Sequence, residues 1–76
     1  MTPKQEQLFE ILGNDDNRFN GVKTIWEKYG SLGLSRDTGN VAVTYYTKND
    51  YSIKQIVMPR DEYNEILPEI NFMREL

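Results

Sequence analysis

The sequence predicts an α+β fold in which two N-terminal helices precede a two- or three-stranded antiparallel meander, and a C-terminal helix broken near Pro68 ends the chain. Three observations carry this reading. Two runs rich in β-branched and aromatic residues, Val41 to Thr47 and Ser52 to Met58, flank the polar tip Lys48-Asn49-Asp50-Tyr51, the clearest hairpin signal in the chain. Apolar residues at helical spacing lie on both sides of that hairpin. Pro68 then falls inside the last helical pattern, where its ring removes a backbone donor and clashes with the preceding turn.

The first helix is marked at both ends. Thr2 is a good N-cap, Pro3 occupies the first helical position and Gln5 completes a capping box. Leu8, Phe9, Ile11 and Leu12 supply an apolar face, and Gly13 is a natural stop, which predicts helix from about 3 to 12. Asn14-Asp15-Asp16-Asn17 breaks the chain. A second helix is expected from Asn17 or Asn20, because Val22, Ile25, Trp26 and Tyr29 fall at i, i+3, i+4 and i+7. That stripe places Trp26 at the centre of the core, in preference to an aromatic binding site.

Leu32 and Leu34 alternate like a short strand, and Asp37-Thr38-Gly39-Asn40 reads as a turn. Residues 32–36 are therefore expected to pair with 41–45. With Asn49-Asp50 as the hairpin turn, Val41 faces Met58, Val43 faces Ile56 and Tyr45 faces Lys54. On the other side Ala42 meets Val57, Thr44 meets Gln55 and Tyr46 meets Ile53. The first of these faces is the more apolar at its base and should pack on the helices. After Pro59, Asp61 is expected to cap a helix with Tyr63, Ile66, Leu67 and Ile70 on one stripe. Pro68 should open a final short helix to Leu76.

The 76 residues make one domain, 1–76. A domain of this size buries only about 60% of its unfolded surface, so its stability should be a few kcal/mol. The sequence has no cysteine and no histidine, which removes disulfides, thiolate zinc sites and the commonest general base. No segment resembles a signal peptide or a membrane span, which predicts a cytoplasmic protein with no membrane partner. The net charge is −3 and unevenly spread: residues 31–58 carry a small positive balance and residues 59–76 an acidic one.

Several patterns invite a chemical reading. Asp37-Thr38-Gly39 matches the catalytic triplet of aspartic proteases, but that chemistry needs two such aspartates on apolar strands, and turn geometry explains the residues. Asn14-Asp15-Asp16-Asn17 lacks the central glycine and closing glutamate of a calcium loop. Neither a catalytic set nor a metal site nor a cofactor is expected. Glu62, Glu65 and Glu69 share a helical face if the helix continues through Pro68, and could imitate a row of phosphates. Acids near a helix start are otherwise favoured by the macrodipole.

The hairpin tip is the best candidate surface. Tyr45, Tyr46, Lys48, Asn49, Tyr51 and Lys54 combine aromatic area with polar tips, as small protein-binding surfaces do. The expected function is thus a non-enzymatic protein-interaction module, a regulator or inhibitor of a larger machine, of a size that fits bacterial or phage origin. The alternative is a nucleic-acid-binding winged-helix-like domain with residues 48–51 as its wing, which the net charge disfavours. Phe72, Met73 and Leu76 give the tail an apolar edge on which copies of the chain could associate.

Overall fold

Extended backbone occupies the middle of the chain. Strands β1 (Asn17–Tyr29), β2 (Leu34–Thr47) and β3 (Asp50–Pro59) form one sheet in the order β1-β2-β3, each neighbouring pair antiparallel. Helix α1 (Pro3–Gly13) precedes the sheet, and α2 (Arg60–Glu65) and α3 (Leu67–Glu75) follow it. The computed structural model describes residues 1 to 75. The α+β class and the meander are as expected; the arrangement of helices is not.

The expected second N-terminal helix is strand β1. Val22, Ile25, Trp26 and Tyr29 do have helical spacing, but Gly21 lies inside the run and disfavours helix by about 1 kcal/mol relative to Ala. Phe19, Val22, Thr24, Ile25, Trp26 and Tyr29 are strand formers that gain from cross-strand packing. In the sheet Val22 pairs with Val43 and Thr24 with Val41. Trp26 is 61% exposed rather than central to the core. With one helix before the hairpin instead of two, the winged-helix framework is absent from the described residues.

Residues 32–36 do not fold back on 41–45. Leu34 to Thr47 is one continuous strand, and its first part pairs with the far end of β1, from Tyr29↔Leu34 to Trp26↔Asp37. Gly30 and Gly33, both with φ of 71°, supply the left-handed backbone that reverses the chain between them. Asp37-Thr38-Gly39, expected as a turn, is a bulge within β2. Gly39 has φ 83°, and the register shifts between Thr24 and Trp26. The Asp37 carboxylate accepts from the Gly39 amide at 2.7 Å, and the Thr38 hydroxyl donates to the Ile25 carbonyl at 2.8 Å.

The β2–β3 hairpin keeps the expected register at its base, with Val41↔Met58, Ala42↔Val57, Val43↔Ile56, Thr44↔Gln55 and Tyr45↔Lys54. Its tip differs. Thr47 pairs with Asp50, so Lys48-Asn49 rather than Asn49-Asp50 makes the turn, and Tyr46 has no paired residue in place of Ile53. Among the described residues no non-glycine residue takes positive φ, so the turn is not of the mirror-image type that matches strand twist; the register shift between Tyr45 and Thr47 absorbs the difference.

One face of the sheet holds the core. Val41, Val43, Ile56 and Met58 are buried against Leu8 of α1, Tyr63 of α2, Ile66, and Ile70 of α3, with Phe9, Ile11, Leu12, Phe19 and Leu67 around them. The capping box is present. The Thr2 hydroxyl accepts from the Gln5 amide at 3.2 Å, and the Gln5 side-chain carbonyl accepts from the Thr2 amide at 2.8 Å. Gln5 is also buried, and its amide nitrogen donates to the Glu62 carbonyl at 3.0 Å, which ties the start of α1 to α2.

The C-terminal helix is broken as expected, one residue earlier than Leu67. Ile66 separates α2 from α3, and Pro68 lies in the first turn of α3, where its missing donor costs little. The N-cap of α2 is Pro59, without a side-chain cap; Asp61 lies in the first turn instead.

Gln5→Ala should lower the unfolding free energy by about 1–3 kcal/mol, because it orphans the Glu62 carbonyl and half of the capping box. Trp26→Ala should change it by no more than about 0.5 kcal/mol, as expected of an exposed side chain. Urea titrations of the two variants would separate these outcomes, and a large loss for Trp26→Ala would contradict its placement outside the core.

Candidate functional site

Alternation along the hairpin divides the candidate tip residues between two faces. Tyr45 is opposite Phe19 on one side and Lys54 on the other, in phase with buried Val41 and Val43, so it belongs to the helix-bearing face. Tyr46 has the opposite phase. Its ring meets that of Tyr51, with centroids 5.9 Å apart and planes inclined by 35°. An offset aromatic pair of this kind holds both rings in place. Lys48 and Asn49 form the turn, and the Lys48 amide donates to the Asp16 carbonyl at 2.8 Å, which moors the tip to the α1–β1 loop. Tyr46 and Tyr51 are thus one unit; Tyr45 and Lys54 are another.

The face away from the helices begins at the Tyr46–Tyr51 pair. Ala42 and Thr44 form its buried floor, with the Thr44 hydroxyl accepting from the Asn20 side chain at 3.1 Å and donating to the Gly21 carbonyl at 2.9 Å. Exposed Ile53 and Val57 alternate with Gln55 along β3, and Tyr51 is 77% exposed. Buried small residues of β2 thus lie beside exposed apolar ones of β3 on this face.

The second exposed apolar region was not foreseen from the sequence. Residues 26 to 37 are all exposed and form a two-stranded arm that carries Trp26, Tyr29, Leu32 and Leu34. β3 ends at Pro59, paired with Asn40, so this part of β2 has a partner on one side only. On the arm Arg36 lies 2.5 Å from Glu27 and 5.8 Å from the centre of the Tyr29 ring. At its base the Arg60 guanidinium of α2 meets the Asp37 carboxylate at 2.5 Å and the Thr24 hydroxyl at 3.4 Å. The strand-forming content of β1, with Gly21 at its centre, was the signal that could have revealed the arm.

The acidic candidates do not form one row. The Glu62 carboxylate accepts a hydrogen bond from the Thr2 hydroxyl, which gives it a structural partner at the α1 cap. Glu65 ends α2 and Glu69 begins α3, on either side of the break at Ile66. In the tail, Phe72 is exposed and Met73 half-buried near Gly13; Leu76 lies outside the described residues. No group of three or more His, Cys, Asp or Glu residues that could hold a metal occurs among the described residues. Among the described residues no helix is long and apolar enough to cross a membrane.

Two carboxyls are tuned by these contacts. The hydrogen bond from Arg60, then that from the Gly39 amide, holds Asp37 below the usual carboxylate range. Hydrogen bonds from the Ser52 side chain and amide do the same for Asp50 next to the turn. Burial pushes the Tyr63 phenol upward. Asp37 and Asp50 therefore ionise at lower pH folded than unfolded. Their stabilisation is present above the unfolded value and is lost as pH falls through the folded one. Thermal melts of wild type and Arg60→Gln between about pH 5 and about pH 2 should show the widest gap near pH 5, closing as Asp37 protonates. A gap independent of pH would mean that Arg60 acts through packing alone.

Comparison of the chain with protein-family models, with curated proteins and with solved structures finds no match, so the functional reading rests on the geometry of these side chains.

Proposed function

We propose that this chain is a non-enzymatic protein-interaction module, a small regulator or inhibitor of a larger assembly, which docks through the helix-free face of its β2–β3 hairpin. The observation that carries the reading is the Tyr46–Tyr51 pair, two rings set against each other at the end of an exposed apolar strip formed by Ile53 and Val57. Tyrosines dominate binding surfaces because a large amphipathic ring loses little conformational freedom when it is covered, and less still when it is already held by a neighbour. Ile53 and Val57 extend the apolar area along the edge strand, where a partner could also reach unpaired backbone groups of β3. Lys48 and Lys54 frame the tip with positive charge, and the C-terminal helices present negative charge elsewhere, a polarity that would orient an approaching partner.

The test is a double substitution, Tyr46→Ala with Tyr51→Ala, compared with wild type in quantitative affinity capture from host lysate. The expected result is an unchanged circular dichroism spectrum with at least a tenfold loss of the captured partner, the scale on which central aromatic anchors act. Glu65→Gln, on the acidic side, should capture as wild type does. Equal capture by the tyrosine variant would move the working surface away from the hairpin.

A further inference from the structure

Between α1, the base of the hairpin tip and α3 lies an open cleft of ≈ 670 Å³, lined by Leu12, Phe19 and Met73 on its apolar side and by Arg18, Lys48 and Arg74 on its charged side. Three cations from three different elements converge there in a chain whose net charge is −3. The two ion pairs among the described residues, Arg36–Glu27 and Arg60–Asp37, lie elsewhere. Asp15 is the one carboxylate among the described residues that line the cleft, so their balance is positive.

Two of the three cations are held by neutral partners, and none has an ion pair among the described residues. Arg18 Nη1 donates to the Asp15 carbonyl at 2.5 Å and to the Asn17 carbonyl at 2.9 Å, which fixes the guanidinium and leaves its charge unpaired. The Arg74 guanidinium lies over the Phe19 ring, 4.1 Å from its centre. The Lys48 amide donates to the Asp16 carbonyl at 2.8 Å, which fixes the backbone that carries its side chain at the cleft. Groups fixed in advance lose little freedom when a ligand arrives, and planar guanidinium forks match tetrahedral oxyanions.

We infer that this cleft binds a small organic phosphate of mononucleotide size, its phosphate held by Arg18, Lys48 and Arg74 and its apolar part set against Leu12 and Met73. A singly charged carboxylate would offset only part of the positive charge that three cations and Asp15 leave, whereas a phosphate monoester carries close to two negative charges near neutral pH. The volume falls in the range of small-molecule sites, about 300–1,000 Å³. The proposal is independent of the tyrosine face, which lies across the sheet.

The experiment is a titration of the ¹⁵N-labelled full chain with adenosine monophosphate, inorganic phosphate, adenosine and a single-stranded oligonucleotide in turn, followed through backbone amide shifts. Adenosine monophosphate should move the amides of residues 13–19, 48 and 73–74, and should bind at least tenfold more tightly than inorganic phosphate or adenosine. Lys48→Gln, whose anchoring amide is retained, should weaken binding about tenfold, the scale of one charge-assisted contact. Arg74→Lys, which keeps the charge but not the fork, should weaken it less, and Glu65→Gln not at all. Shifts outside the cleft, or affinity unchanged in Lys48→Gln, would overturn the site. Equal affinity for inorganic phosphate would overturn the organic ligand, and clear preference for the oligonucleotide would replace the small ligand by a nucleic acid.

Discussion

The structure depends on a mismatch of length: the central strand is longer than anything available to cover it. β2 runs from Leu34 to Thr47, while β3 accompanies it only from Asn40 onward and the helices pack on the same half. A sheet with apolar side chains needs a second layer to be stable, and two strands alone are marginal in water. The chain therefore divides at Gly39 into a covered body and a bare arm. The bulge at Asp37-Thr38-Gly39 marks this division, and each polar group exposed by the register shift has a partner. Arg60 extends the restraint from α2 to the base of the arm through Asp37. Beyond that point no side chain is buried, and every residue from 26 to 37 is exposed.

Within the body a short apolar list suffices because its ends are tied together. Gln5 is the residue on which that closure turns. It is a buried amide satisfied on both of its functional atoms, one by the Thr2 backbone and one by the Glu62 carbonyl. A buried polar group satisfied in this way specifies one arrangement of α1 against α2, since any other would leave a donor or acceptor unpaired. The Thr2 hydroxyl beside Gln5 donates to the Glu62 carboxylate, which takes that side chain out of the acidic surface and assigns it to the fold. No buried side-chain nitrogen or oxygen among the described residues lacks a partner.

The candidate surfaces follow from this economy. With the helices on one face, the other retains Tyr51, Ile53 and Val57 in the open beside half-buried Tyr46, and the arm retains Trp26, Tyr29, Leu32 and Leu34. Exposed apolar area in patches of this kind marks interaction sites more often than chance exposure does. The hairpin tip serves two surroundings at once, with aromatic rings on the helix-free side and Lys48 in the cleft by α1 and α3.

Local rules made part of this legible. The capping box at Thr2 and Gln5, the stop at Gly13, the break beside Pro68 and the hairpin base from Val41 to Met58 rest on neighbouring residues, whose chemistry acts the same way wherever the segment lies. The sequence by itself determined that a hairpin packs its Val41–Val43–Ile56–Met58 face on helices. Whether residues 17–29 would be helix or strand was a different kind of question. Their apolar spacing fits a helix, their strand-forming side chains and Gly21 lean the other way, and pairing along β2 settles the matter, a long-range gain that a local pattern does not register. The tertiary structure alone decided that Trp26 lies on an arm, that Asp37-Thr38-Gly39 is a bulge rather than a turn, and that Arg18, Lys48 and Arg74 meet. Each depends on which strands lie side by side, and that is set by the competition among all the segments for one small core.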